Sequence, residues 1–124
     1  MAKMITKKER ELEKYSINIE RLAKQILKDM GIKLHCLGFE YWIKAMLITI
    51  KIEIDKKQNL KMMELYYKVA KEFNTTTTKV ERAMRYAYVG LDLNNYFDVT
   101  YRINNTALLF LLKDKILDEI KTIL

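Results

Sequence analysis

The sequence predicts a mostly helical chain folded as one domain. Its 124 residues include no proline and three glycines, Gly31, Gly38 and Gly90, so few positions interrupt a helix. Apolar residues recur three and four apart along several segments, the period of a helix that buries one face. The length suits one sizeable core and leaves no room for a second ordinary domain, so residues 1–124 are read as a single unit. There is no internal repeat, low-complexity tract or linker.

From the N-terminus, residues 7–30 place Leu12, Tyr15, Ile19, Leu22 and Ile26 on one stripe, and Gly31 reads as the C-terminal stop. The same spacing fits a coiled-coil seam, but over fewer than three heptads, which favours core packing. Residues 38–55 are ambiguous: Ile48, Ile50, Ile52 and Ile54 alternate like a strand, while Ile43, Met46, Leu47, Ile50 and Ile54 follow helical spacing. DKKQN, residues 55–59, is a polar loop, and a helix resumes over residues 60–73 through Met63, Tyr66, Tyr67, Ala70 and Phe73. Four threonines, Thr75, Thr76, Thr77 and Thr78, then break the pattern without glycine or proline. Beyond them Val80, Ala83, Met84, Ala87, Tyr88 and Leu91 repeat at three and four. DLNN is a loop signal, VTYRI at 99–103 reads as a short strand, and an Asn-Thr start opens a last amphipathic helix over residues 106–124.

The threonine break has the requirements of a helix-turn-helix, placed over residues 60–91. Such a unit needs a small residue in its first helix, a residue tolerant of left-handed backbone four positions on, and an aliphatic anchor in its second helix. Ala70, Asn74 and Val80 hold those places, and asparagine tolerates positive φ better than any residue except glycine. Thr78 with Glu81 has capping-box spacing, and Thr76 is a competing cap. The second helix, about residues 76–91, turns Thr77, Thr78, Lys79, Glu81, Arg82, Arg85, Tyr86 and Val89 outward. Arginine can grip guanine O6 and N7 in two parallel bonds, and a carboxylate can accept from cytosine N4, so Arg82 and Glu81 suit a G·C pair in the major groove. Thr76, Thr77, Thr78, Lys79 and, on the preceding helix, Lys68 and Lys71 suit phosphate contacts. An ordinary solvated helix face would carry similar charges.

Composition narrows the function classes. Lysine and arginine number 23 against 16 acidic residues, a net +7 with pI near 9.4, which suits a polyanion: nucleic acid first, an anionic membrane surface second. Membrane binding fits poorly, because the positive charge is spread over segments whose apolar faces are needed for a core. The apolar runs are too short or too interrupted to span a bilayer, and MAKMITKKERELEKY lacks the features of a secretory signal; a cytoplasmic protein is expected. Cys36 cannot form an internal disulfide, and with His35 it does not make a metal site, so both are read as structural and no metal or cofactor is expected. The chain has no Gly-rich phosphate loop, no HExxH and no Ser-His-Asp set, which argues against an enzyme and against a small-molecule substrate.

Several stretches carry a family resemblance. NTTTTKVERAMRYA resembles the recognition segment of the effector domain of the stage-zero sporulation transcription factor A response regulators. GIKLHCLGFEYWIKAM is similar to the Gly, His, Gly, aromatic arrangement upstream of it, YYKVAKEFN to the preceding helix, and YFDVTYRINNTALLFLLKDKI more weakly to the family's C-terminal portion, so the likeness covers residues 19–120. It implies an all-α compact bundle of about six helices with a central helix-turn-helix, a helix at 38–55, and His35 in a turn. It also implies contacts to duplex DNA from Lys79, Glu81, Arg82 and Tyr86, with Arg85 alongside. Lys79 stands where the family usually has arginine and Tyr86 where it has histidine, so the preferred site is expected to differ. Residues before Ile19 are too few for a phosphorylated receiver domain, which leaves an effector domain preceded by a charged segment, residues 1–18.

The family's effector domains pair through their C-terminal helix. Here residues 106–124 hold Leu108, Leu109, Leu111, Leu112, Ile116, Leu117, Ile120, Ile123 and Leu124, more than one buried face requires, so the same helix is expected either to support a homodimer or to close the bundle. Two other readings remain open. One is a winged helix-turn-helix accessory protein of a plasmid or phage, with residues 96–103 as the wing and ITIKIEI as a strand. The other is a helical interaction protein that antagonises a resident regulator.

Overall fold

Central to the architecture is a helix with almost no solvent face. In the computed structural model α2 (Leu37–Ile54) is surrounded by α1 (Lys7–Met30), α3 (Met62–Glu72), α4 (Thr77–Tyr86) and α6 (Asn105–Ile123), and the short α5 (Leu93–Phe97) joins α4 to α6. The backbone is described for residues 7–54 and 61–123, and side chains for residues 19–53 and 61–120. The DKKQN loop and the side chains of Leu12, Tyr15, Ile54, Ile123 and Leu124 lie outside these residues. Among the described residues there is no strand, and no helix is long and apolar enough to cross a membrane.

The helical reading of the 38–55 segment is therefore the right one over its described residues, 38–54, and the position of α2 explains the ambiguity. Phe39, Tyr41, Trp42, Ile43, Ala45, Met46 and Ile50 are all buried, and Leu47 and Ile48 are partly buried against the same core. A helix covered on most sides loses its amphipathic period. Ile48 and Ile52, on its less covered sides, then imitate alternation.

Helix α1 buries Ile19, Ala23, Ile26, Leu27 and Met30, with Leu22 half-buried, and ends at Gly31. Gly31 has φ +96°; its N–H donates to Lys28 O at 2.9 Å, and Ile32 N–H donates to Leu27 O at 3.1 Å. This is the paired-bond stop that a left-handed glycine permits, and Ile32 and Leu27 are both buried beneath it.

Three expectations need correction. In α3 the core face is Leu65, Tyr66, Val69 and Ala70; Tyr66 and Ala70 belong to the expected stripe, but its Met63 (66% exposed) and Tyr67 (62%) face outward, and Phe73 (39%) sits at the edge with its ring 5.0 Å from that of buried Tyr41. Adjacent tyrosines make two stripes nearly equivalent in sequence, and burial of Leu65 and Val69 selects the other one. VTYRI is not a strand: Asn94 Nδ2 donates to Val99 O at 2.9 Å and to Tyr101 O at 2.7 Å, so a side chain occupies carbonyls that a ladder would need. The winged reading fails with it. DLNN in turn is more than a loop, because Asp92 accepts from Asn95 N–H and starts the five-residue α5.

Helix α6 is capped by Asn104, whose Oδ1 accepts from Ala107 N–H at 2.9 Å. Leu108, Leu109, Leu112, Ile116 and Ile120 are buried and Leu117 packs partly on the core. Most of the apolar excess of this helix closes the bundle.

Candidate nucleic-acid interface

Helices α3 and α4 meet at a turn built without glycine. Asn74 takes φ +52°, and Thr75 N–H donates to Ala70 O at 2.9 Å, so asparagine supplies the left-handed stop that glycine gives at residue 31. Ala70 and Val80 are 4% and 0% exposed, which lets the two helices cross closely. Thr76, not Thr78, caps α4. Its backbone is extended (φ −105°, ψ 156°), and its Oγ1 accepts from Lys79 N–H at 3.2 Å. Thr78 already lies inside the helix, so no capping box forms; the Glu81 carboxylate instead pairs with Arg85 at 3.4 Å, one turn on.

The inner side of α4 is held by packing and by two directional bonds. Val80 and Met84 are fully buried, and Ala83, Ala87, Tyr88 and Leu91 pack on the core as their spacing predicts. Gly38 at the start of α2 lies so close that a Cβ there would fall 2.3 Å from Ala83 O and 2.7 Å from Ala87 Cβ. Trp42 Nε1 of α2 donates to Met84 O at 2.8 Å. From α6, Asn105 Nδ2 donates to Glu81 O and to Tyr66 Oη, both at 3.2 Å, while its Oδ1 accepts from Tyr88 Oη at 2.7 Å. Burial raises the pKa of both phenols above 10.0, and the Asn105 bond to Tyr66 opposes this in part, so both hydroxyls keep their protons at neutral pH.

The outer side carries the charge. Thr78, Lys79, Arg82, Arg85, Tyr86 and Val89 are exposed, and Thr77 and Glu81 are half-buried. Arg85 is engaged twice, with Glu81 and with the Tyr86 ring, 5.7 Å from its guanidinium carbon. Arg82 makes no ion pair among the described residues. Thr78, Arg82, Arg85 and Val89 succeed one another at helical spacing, with Lys79 and Tyr86 beside them. Lys68 and Lys71 of α3 line an open concavity with Met63, Glu64, Tyr67, Glu72 and Thr77 next to the start of α4, and Glu72 is paired with Lys44 at 3.6 Å. Most of the residues singled out in the sequence thus share one side of the molecule. Two are diverted: Thr76 spends its hydroxyl on the cap, and Glu81 its carboxylate on Arg85. His35 is exposed in the turn before α2. Gly38, Trp42, Tyr66 and Asn105, which sequence reasoning did not connect with the recognition helix, lie on three other helices, and only the three-dimensional packing brings them to α4.

The family described as sporulation initiation factor Spo0A C terminal matches residues 23–115, most of the chain, including α2 to α5 and the first half of α6. No solved structure matches the chain.

Proposed function

The chain belongs to the Spo0A C-terminal family, DNA-binding domains of a sporulation transcription regulator, and from that premise we propose that it reads a specific duplex sequence with α4 in the major groove. The observation that supports this most is Arg82: an exposed guanidinium without an ion pair among the described residues, at the centre of the outer face of a helix whose inner face is fully anchored. A guanidinium free of carboxylates can turn both of its parallel donors toward guanine O6 and N7. Arg85, already paired with Glu81, suits a supporting contact, and Glu81 is less available to cytosine than its position in sequence suggests. Lys68, Lys71, Lys79, Thr77 and Thr78 serve the phosphates, and Tyr86 borders the bases at the far end of the helix. Residues 1–124 act as one such domain in this reading.

A second copy on an adjacent site is part of the proposal, with a smaller surface than the sequence promised. Since α6 buries most of its leucines, the apolar group it leaves outward among the described residues is Phe110, 57% exposed, with Lys113 Nζ 4.5 Å from its ring.

The test compares one selected duplex with a scrambled one across salt. Specific binding is expected to exceed scrambled binding at every concentration. The three phosphate-binding lysines predict a loss of roughly fortyfold between 50 and 200 mM salt. Equal affinity for both duplexes throughout would leave only general charge attraction and would favour an interaction protein.

A further inference from the structure

Apolar packing alone leaves a helix free to roll and slide by fractions of a turn, because methyl groups tolerate many angles; a hydrogen bond to a helix carbonyl does not. On α4 two such carbonyls, Glu81 O and Met84 O, lie three residues apart on the buried side, and each receives a side-chain donor from a different helix. Trp42 approaches from α2 and Asn105 from α6.

Apart from the aromatic residues, Asn105 is the one buried polar side chain among the described residues, 6% exposed. Both of its amide hydrogens and its oxygen are engaged, linking α3 through Tyr66, α4 through Glu81, and the turn after α4 through Tyr88. A carbonyl oxygen has two lone pairs, so Glu81 O can serve the helix and the carboxamide together. An aliphatic residue of the same size would fill the space equally well, and the carboxamide adds direction.

We propose that Asn105 is a positioning residue for base recognition, fixing the roll and axial setting of α4 through the Glu81 carbonyl so that Arg82 meets the base edge in register. The Glu81 carbonyl and the Arg82 side chain belong to consecutive residues, so a roll of the helix at residue 81 swings Arg82 directly. Bidentate base contacts tolerate only small angular error, whereas a phosphate contact from a long lysine side chain tolerates much more. Loss of the Asn105 bond is therefore predicted to lower discrimination and spare general affinity. The inference rests on the reading that Arg82 contacts a base.

The experiment measures the ratio of affinities for a selected and a scrambled duplex in four proteins: wild type, Asn105→Leu, Ile116→Val as a core control that loses stability without touching the network, and Arg82→Ala. Folding is checked by circular dichroism at the assay temperature. Asn105→Leu is expected to lower the ratio about tenfold while changing scrambled binding less than about twofold. Ile116→Val should leave the ratio unchanged. The Glu81 carbonyl carbon resonance should move in Asn105→Leu and stay in place in Ile116→Val. If Asn105→Leu does not fold, Tyr88→Phe, which frees the carboxamide oxygen, is read in its place and should lower the ratio about threefold. An unchanged ratio in whichever of these folds, or an equal fall in Ile116→Val, overturns the proposal. Should Arg82→Ala leave the ratio untouched, the base-reading premise itself fails, and the two failures are distinct.

Discussion

Substituting Gly38 with alanine tests the packing that sets the recognition helix. The added Cβ would stand 2.3 Å from Ala83 O, 2.7 Å from Ala87 Cβ and 3.1 Å from the Ala83 carbonyl carbon. A carbon normally approaches a carbonyl oxygen no closer than about 3.3–3.6 Å, so α2 and α4 must separate by about 1 Å. None of the three atoms is the end of a flexible side chain, and α2 cannot retreat, because Phe39 and Trp42 next to Gly38 are 3% and 0% exposed. Overpacking of this kind costs about 1–3 kcal/mol or more. Better helix propensity returns less than about 1 kcal/mol, since Gly38 sits in the first turn. Each kcal/mol moves the melting temperature of a domain of this size by about 2–8 °C, so thermal unfolding followed by circular dichroism resolves the loss. The same shift moves Arg82 relative to the groove, and selective binding should fall at temperatures where the variant is still folded. A Gly38→Ala protein as stable as wild type, with undiminished selectivity, would refute the close contact of α2 with α4.

Thr76→Ala should cost about 0.5–2 kcal/mol in urea unfolding, and Thr78→Ala less than about 0.5 kcal/mol; the reverse order would restore the capping box to Thr78 and Glu81. Since burial holds Tyr66 and Tyr88 above 10.0, the unfolded chain releases phenolic protons first as pH rises. The contribution is fully present below pH 10.0 and is lost as pH climbs through the raised folded values, so the urea midpoint should fall in that range, less steeply in Tyr88→Phe than in wild type. Phe110→Glu should keep binding to a single site and lose the gain seen on duplexes with two adjacent sites; retained cooperativity would move self-association away from α6.

Local chemistry was legible in the sequence: Ala70, Asn74 and Val80 located the turn, and Gly31 the end of α1, because each answers a backbone or steric demand within a few residues. The strand-like isoleucines of α2 misled because a helix with neighbours on nearly every side has no polar face to mark its period. In α3 the expected stripe was right at Tyr66 and Ala70 and wrong at Met63 and Tyr67, because Tyr66 and Tyr67 are alike in sequence and differ only in what packs on them. Thr76 and Thr78 are the same residue type two positions apart, and the choice between them lies in the extended backbone at Thr76. The Asn-Thr start at residues 105–106 is one residue late as a cap: Asn104 caps, while Asn105 turns inward to bind Glu81, Tyr66 and Tyr88. That last role depends on partners 17 to 39 residues away in sequence, beyond the range of any local pattern.

Selection of bound duplexes from a random pool, run in parallel with wild type and Arg82→Ala, tests the central claim most directly. Wild type is expected to yield one short preferred sequence containing a guanine that tolerates no other base, and Arg82→Ala to relax preference at that one position at a cost of about 1–3 kcal/mol on the preferred site. An identical preferred sequence from both proteins, or no preferred sequence from wild type, would contradict base reading by α4.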